Sequence, residues 1–192
     1  MSVPLTPPNS TILPKPSTPT GDTPFWAFSL DRYGRDGVAP LCLLLQDRHG
    51  ADVNLVLLGL WLGSDRRRIA DAAAGERIAG AVGAWHDEVV RPLRAARGAL
   101  KGRSVRDVDA RDVLRASIQR SELAAEKMEQ DMLHDLIVAM PELCRPAGEE
   151  RARIMAANAA FFCGPAADGT PPDALLLRLA ELCVQAISVR DR

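Results

Sequence analysis

A polar run, Gln46-Asp47-Arg48-His49-Gly50-Ala51-Asp52-Val53-Asn54, interrupts the most apolar stretch of the chain, Leu41 to Leu62. An imidazole beside carboxylates can move a proton near neutral pH, so His49 with Asp47 or Asp52 forms a candidate acid–base pair or partial metal site, with Arg48 placed to bind an anion. Helix-end chemistry explains part of the same run. Gly50 can take the left-handed conformation that closes a helix, Arg48 and His49 suit the negative end of its dipole, and Asp52 is a good cap for the next helix. Gln46, Asp47 and Asn54 are left over. A polar group in such apolar company is hydrogen-bonded or costs about 1–3 kcal/mol. Either these residues close into a network with Arg48 and Asp52 that locks a helical hairpin, or they face a ligand or a partner. One histidine beside two carboxylates argues only weakly for metal, since catalytic zinc sites usually take three protein ligands. No metal and no cofactor are expected.

Two further histidines lie among acids, His86 in Trp85-His86-Asp87-Glu88 and His134 in Asp131-Met132-Leu133-His134-Asp135. On a helix Asp131, His134 and Asp135 share a face, as in one half of a di-iron bundle site, but no second such unit accompanies them. The ordinary reading is a solvated stripe of charge. Between residues 91 and 106 stand six positive side chains and no negative one: Arg91, Arg94, Arg97, Lys101, Arg103 and Arg106. This stripe is a candidate partner-binding surface. The acids Glu122, Glu126 and Glu129 follow it, so the two stretches can also neutralise each other across a helix pair. No aromatic residue is interleaved with the basic stripe to stack a base, which argues against nucleic acid. A helix-turn-helix DNA reader is excluded because its recognition helix would be Val53 to Leu62, which is too apolar for a groove. No phosphate-binding loop, nucleophile elbow, dinucleotide fingerprint or zinc-protease motif is present.

Helices must position these groups. Apolar residues recur at three and four from Pro24 onward, and no strand is required. The expected helices begin with a short aromatic one from Pro24, capped by Thr23 and ending near Gly34, which carries four of the eight aromatic residues. The next run from Val38 to Arg48 and from Val53 to Leu62, the latter closed by Gly63. Helical turns over Asp65 to Ala70 are expected to break at Gly75. A longer helix through Ile78, Trp85 and Leu100 should kink at Pro92. The clearest helix spans Ala110 to Met140, capped by Asp109, with Leu114, Ile118, Ala125, Met128, Met132, Leu136 and Met140 as its apolar stripe. Two more follow over Glu149–Cys163 and Asp173–Val189. The fold class is therefore all-α, a single bundle of about six to seven helices over residues 24–190. Seven prolines among the first 24 residues, interleaved with Ser and Thr, mark 1–23 as a disordered tail.

The chain of 192 residues has 24 basic and 25 acidic side chains, so no global field draws it to nucleic acid or an anionic membrane. The four cysteines, Cys42, Cys144, Cys163 and Cys183, show no paired spacing and read as small buried hydrophobes. With no export signal in the first twenty residues, this usage points to the cytoplasm. No apolar run approaches the roughly 20 residues of a spanning helix.

The string Leu45-Gln46-Asp47-Arg48-His49-Gly50-Ala51-Asp52-Val53-Asn54-Leu55, then Leu60-Trp61-Leu62-Gly63, and later Trp85 with Val90-Arg91-Pro92-Leu93-Arg94, resembles a proteobacterial family of uncharacterised helical proteins, a domain of unknown function. The resemblance covers roughly Phe25 to Leu100, and the long helix more loosely. It implies a bacterial source and an all-helical fold, and it carries no activity and no site residues. The absence of a complete catalytic motif favours a small helical protein that binds another protein, or itself, as an adaptor or assembly factor. The competing reading is an enzyme or a small-ligand or metal binder with its site at the 46–54 corner.

Overall fold

The computed structural model describes residues 21–185. Its helices are α1 (Pro24–Tyr33), α2 (Val38–His49), α3 (Val53–Ser64), α4 (Ala72–Trp85), α5 (Arg91–Leu100), α6 (Val108–Ala139), α7 (Arg151–Ala160) and α8 (Asp173–Gln185). A π turn, His86–Val90, joins α4 to α5 without interruption, so 72–100 forms one rod and the described residues hold seven helical bodies. The all-α class expected from the periodicity is what the chain adopts.

Helix α3 is the axis of the core. Leu55, Val56, Leu57, Leu58, Leu60 and Leu62 are all buried, as a helix that is apolar on every side must be. Its neighbour α7 crosses it at backbone contact. A Cβ on Gly59 would lie 2.7 Å from the Ala159 nitrogen, and one on Gly63 would lie 2.6 Å from Met155 Cα. Gly63 was expected to end α3 but sits inside it, because the approach of α7 rather than a turn demands the missing side chain. Asn158 of α7 seals this crossing. Its amide donates to the carbonyls of Gly59 (3.3 Å) and Arg67 (2.8 Å) and accepts from the Ile69 N–H (2.9 Å).

Several local expectations are corrected. The segment after α3 is not helical: Arg66 takes φ 53°, and Arg67–Ile69 (β1) pairs antiparallel with Cys144–Pro146 (β2). The pairing partner lies 75 residues away at closest register, Ile69 to Cys144, which periodicity in a local window cannot reveal. Gly75 breaks nothing. It is buried within α4, where a Cβ would press to 2.9 Å from the Phe161 ring. Helix α6 starts two residues early, with Asp107 in place of Asp109 as its cap, accepting the Ala110 N–H at 2.9 Å. Its buried face also differs from the stripe expected. Glu122, Ala125, Glu129, Gln130, Leu133 and Ile137 face inward, while Met128 and Met132 are 53% and 40% exposed.

Of the tail expected over 1–23, residues 1–20 lie outside the described residues. Thr23 belongs to the fold, buried and accepting the Trp26 N–H at 3.2 Å, as its role of cap required. The expected end of the last helix at Val189 also lies outside the described residues. Among the described cysteines Cys42 and Cys183 are buried, Cys144 and Cys163 half-buried, and all four are free thiols. No helix among the described residues is long and apolar enough to cross a membrane.

Candidate functional site

The 46–54 corner is built as its helix-end chemistry demands. Gly50 closes α2 at φ 62°, and Asp52 Oδ1 accepts the Asn54 N–H at 2.9 Å to start α3. The structure then divides the six residues expected to act together. Arg48 and His49 turn toward the 164–172 loop. Arg48 pairs with Asp168 at 3.2 Å on the surface, and His49 Nδ1 lies 2.9 Å from the Gly164 carbonyl. His49 therefore partners neither Asp47 nor Asp52, and its place is that of a buried brace. Asp47 is exposed and accepts a hydrogen bond from the Gln46 amide, at 3.3 Å.

Asp52 and Asn54 point the other way, into the bundle, and there they meet residues from two distant helical bodies. His86 Nδ1 stands 3.0 Å from Asp52 Oδ2 and 3.3 Å from Glu129 Oε1. Asn54 Nδ2 donates to Glu129 Oε2 at 2.8 Å, and Gln130 Nε2 donates to Asn54 Oδ1 at 2.8 Å. Glu129 is 0% exposed. Asn54 thus fixes one oxygen of each carboxylate, by its backbone N–H on Asp52 and its side-chain amide on Glu129. The remaining oxygens, Asp52 Oδ2 and Glu129 Oε1, turn to the imidazole.

The π turn presents His86. Pro92 has no N–H to give and its ring crowds the carbonyl four residues back, so regular α-geometry fails ahead of it. The chain widens by one residue, and the Arg91 N–H reaches the His86 carbonyl five residues back. Such turns concentrate at functional sites in proteins generally. A kink at Pro92 was expected, and the widened turn is how this chain accommodates the proline. One residue earlier, Trp85 Nε1 donates to the Ala125 carbonyl at 3.1 Å and pins the rod to α6 one turn before Glu129.

The electrostatics follow from burial and contact. Asp52, then Glu129, pushes the His86 imidazole up to about 9 against the opposing effect of burial. Burial pushes Glu129 up to about 7. Burial also works to raise Asp52, but its close contacts with His86 and Glu129 outweigh it and hold that carboxyl below its ordinary value.

A second ionic cluster lies beside the first. Arg94 donates to Gln46 Oε1 at 2.5 Å, to Glu126 Oε1 at 2.7 Å and to Glu122 Oε1 at 3.3 Å, while Arg97 also binds Glu122. Half of the expected basic stripe is accounted for in this way. Arg94 and Arg97 are neutralised across the α5–α6 pair, and Arg91 pairs with Asp87 at 2.9 Å. Lys101, Arg103 and Arg106 remain exposed, with no ion pair among the described residues. The acidic face around His134 is engaged in packing and ion-pair contacts. Its ring packs against Trp61 with centroids 5.8 Å apart, and Asp131 binds Lys127 at 2.9 Å.

Two clefts open on either side of the Arg94–Gln46 pair. One, about 530 Å³, is bordered by Asp52, His86, Asp87 and Arg91. The other, about 290 Å³, has apolar walls from Trp26, Leu30, Val53 and Leu57, with Asn54 and Gln130 at its polar side. Asp52 and Asn54 were candidate site residues from the sequence. His86 was noted only as a histidine among acids, Glu129 only as part of an acidic run, and Gln130 not at all. One signal was available: Glu129 occupies the four-residue spacing Ala125–Glu129–Leu133–Ile137, a core row broken by a carboxylate.

The family described as "Protein of unknown function (DUF2390)" matches residues 24–133, over half of the chain, and the chain belongs to that family. The matched span contains Asp52, Asn54, His86, Glu129 and Gln130 and ends before α7. No curated protein and no solved structure gives a match.

Proposed function

We propose that this member of the DUF2390 family binds a small polar molecule in the cleft bordered by Asp52 and His86, with the Asp52–His86–Glu129 cluster as its reactive floor. One observation carries the reading: an ionisable side chain, Glu129, is wholly buried beside a histidine and a second carboxylate that border an open cleft. Burying such a group is unfavourable, and pKa values shifted this way concentrate where proton transfer is used. His86 and Asp52 place a ring nitrogen and a carboxylate oxygen on the same wall, polar groups suited to orient a bound molecule. A thermal-shift screen of small organic acids, amines and nucleotides tests it. The expected result is a compound that raises the melting temperature of the wild type and leaves folded His86→Ala unmoved. Equal shifts in both proteins would sink the proposal, and so would a screen in which no compound stabilises the wild type.

A second reading, a protein-binding role as adaptor or assembly factor, has a different observation in its favour. Lys101, Arg103 and Arg106 adjoin four exposed apolar residues, Val105 (39%), Val108 (49%), Val113 (69%) and Leu114 (51%). Exposed apolar side chains among charges of both signs suit another protein surface or a second copy of the chain. Sedimentation of wild type against a Val113→Glu, Leu114→Glu double variant tests self-association. A monomer in both would leave this reading without its simplest form.

A further inference from the structure

We propose that Asp52, His86 and Glu129 form a binding site for a divalent transition-metal ion, held through Asp52 Oδ2, His86 Nδ1 and Glu129 Oε1. The three donor atoms lie within 4.8 Å of one another, on three different helical bodies. The spacing of the ring nitrogen from each oxygen fits coordination. With metal–ligand bonds of about 2.1 Å, donors on one ion stand about 3.0 Å apart at right angles and about 3.4 Å apart at tetrahedral angles. His86 Nδ1 lies 3.0 Å and 3.3 Å from the two oxygens.

The angles favour an ion over a shared proton. At such separations a ring N–H aimed at either carboxylate would make a straight hydrogen bond. Neither contact meets hydrogen-bond geometry, so the buried Nδ1 and Glu129 Oε1 both lack a hydrogen-bond partner among the described residues. A ring nitrogen close to two carboxylate oxygens and hydrogen-bonded to neither has the disposition of one donor among three around a common centre.

The surroundings have the form of a supporting shell. Metal-binding carboxylates are commonly held by hydrogen bonds to their other oxygen. Asn54 holds Asp52 Oδ1 at 2.9 Å and Glu129 Oε2 at 2.8 Å, and Gln130 in turn holds Asn54. Each carboxylate is thereby left one oxygen to give. Two carboxylates and a neutral imidazole carry two negative charges, which a divalent ion cancels. The nitrogen donor selects against magnesium and calcium, which prefer all-oxygen shells, and toward zinc and its neighbours. Asp52 and His86 border the 530 Å³ cleft, so further coordination positions would face it. This use of the ion rests on the ligand-binding cleft proposed above, whereas metal uptake itself does not.

The test uses the full chain, stripped with chelator, and titrates zinc alone by calorimetry. Cobalt absorption reports the ligand field, and magnesium serves as a control. We expect one equivalent of zinc, no magnesium response, and affinity lowered at least tenfold in Glu129→Gln and in Asp52→Asn. The second variant keeps the helix cap, because asparagine caps as well as aspartate. His49→Ala, whose ring lies on the Gly164 carbonyl, should bind as the wild type does. Two results would overturn the site: folded wild type binding zinc more weakly than about 1 mM, or both carboxylate variants binding it undiminished. The small-molecule screen run on zinc-free and zinc-loaded protein separates the two ideas. Zinc uptake with no compound bound defeats the cleft reading alone, and compound binding with no zinc uptake defeats the metal site alone.

Discussion

Helix α6 presents three inward carboxylates in a row, and they meet two different kinds of cation. Glu122 and Glu126 meet Arg94 and Arg97, while Glu129, one turn on, meets His86. A guanidinium is always charged and carries five donors in a fixed fork, so Arg94 can serve Glu122, Glu126 and Gln46 at once. Among the described residues that cluster leaves no buried side-chain polar atom without a partner. Burial works to raise Glu122, but Arg97 and then Arg94 outweigh it and hold the carboxyl below its usual value. An imidazole has one edge to offer between two carboxylates and satisfies neither with a straight hydrogen bond. The same acidic stripe is therefore closed at one end and unfinished at the other. Where a protein leaves polar groups buried and unfinished, a ligand is the physical way to finish them.

Asn54 belongs to the unfinished cluster. Asn54→Ala removes its two side-chain bonds and orphans Glu129 Oε2 and the Gln130 amide. We expect a loss of about 3 kcal/mol of stability at pH 7, read from urea denaturation midpoints. A loss under about 1 kcal/mol would mean that Asn54 does not hold the cluster. Arg94→Ala tests the finished cluster. Arg97 still holds Glu122 and Arg94 is partly exposed, so the cost should be smaller, about 1–2 kcal/mol, and should shrink in high salt. If Arg94→Ala cost more than Asn54→Ala, the ranking of the two clusters would be reversed. The smallest effect belongs to Arg91, whose pair with Asp87 is exposed on both sides. Arg91→Ala should change stability by less than about 0.5 kcal/mol and leave zinc affinity within twofold. A larger change in affinity would show that the rim of the cleft takes part in binding.

The elements were legible where a signal is local. Thr23 and Pro24 start α1, Gly50 ends α2 and Asp52 starts α3, because caps and left-handed glycines act on the nearest four residues. Strand β1 was not legible, since three residues carry no period and their partner is supplied by Cys144–Pro146. Within the site, Asp52 and Asn54 stood out as polar residues in apolar company. Their partners did not. His86 and Glu129 lie 34 and 77 residues beyond Asp52, on segments that read alone as surface charge. The stripe assigned to α6 also misled, because a long helix with scattered methionines offers two apolar faces and the Met128–Met132 face is the outer one.

What the sequence determined by itself is the main helices and the existence of a polar corner, through periodicity, caps and the cost of placing Asn54 among leucines. Which histidine meets Asp52 was decided by tertiary structure alone. Helix-end chemistry makes His49 the near neighbour in sequence, but α2 ends with its ring turned to Gly164, on the far side of the corner. The π turn ahead of Pro92 and the Trp85 bond to α6 bring His86 to Asp52 and Glu129 instead. A side chain's direction is fixed by the helix that carries it and by the neighbours that helix packs against, and only the folded chain supplies both.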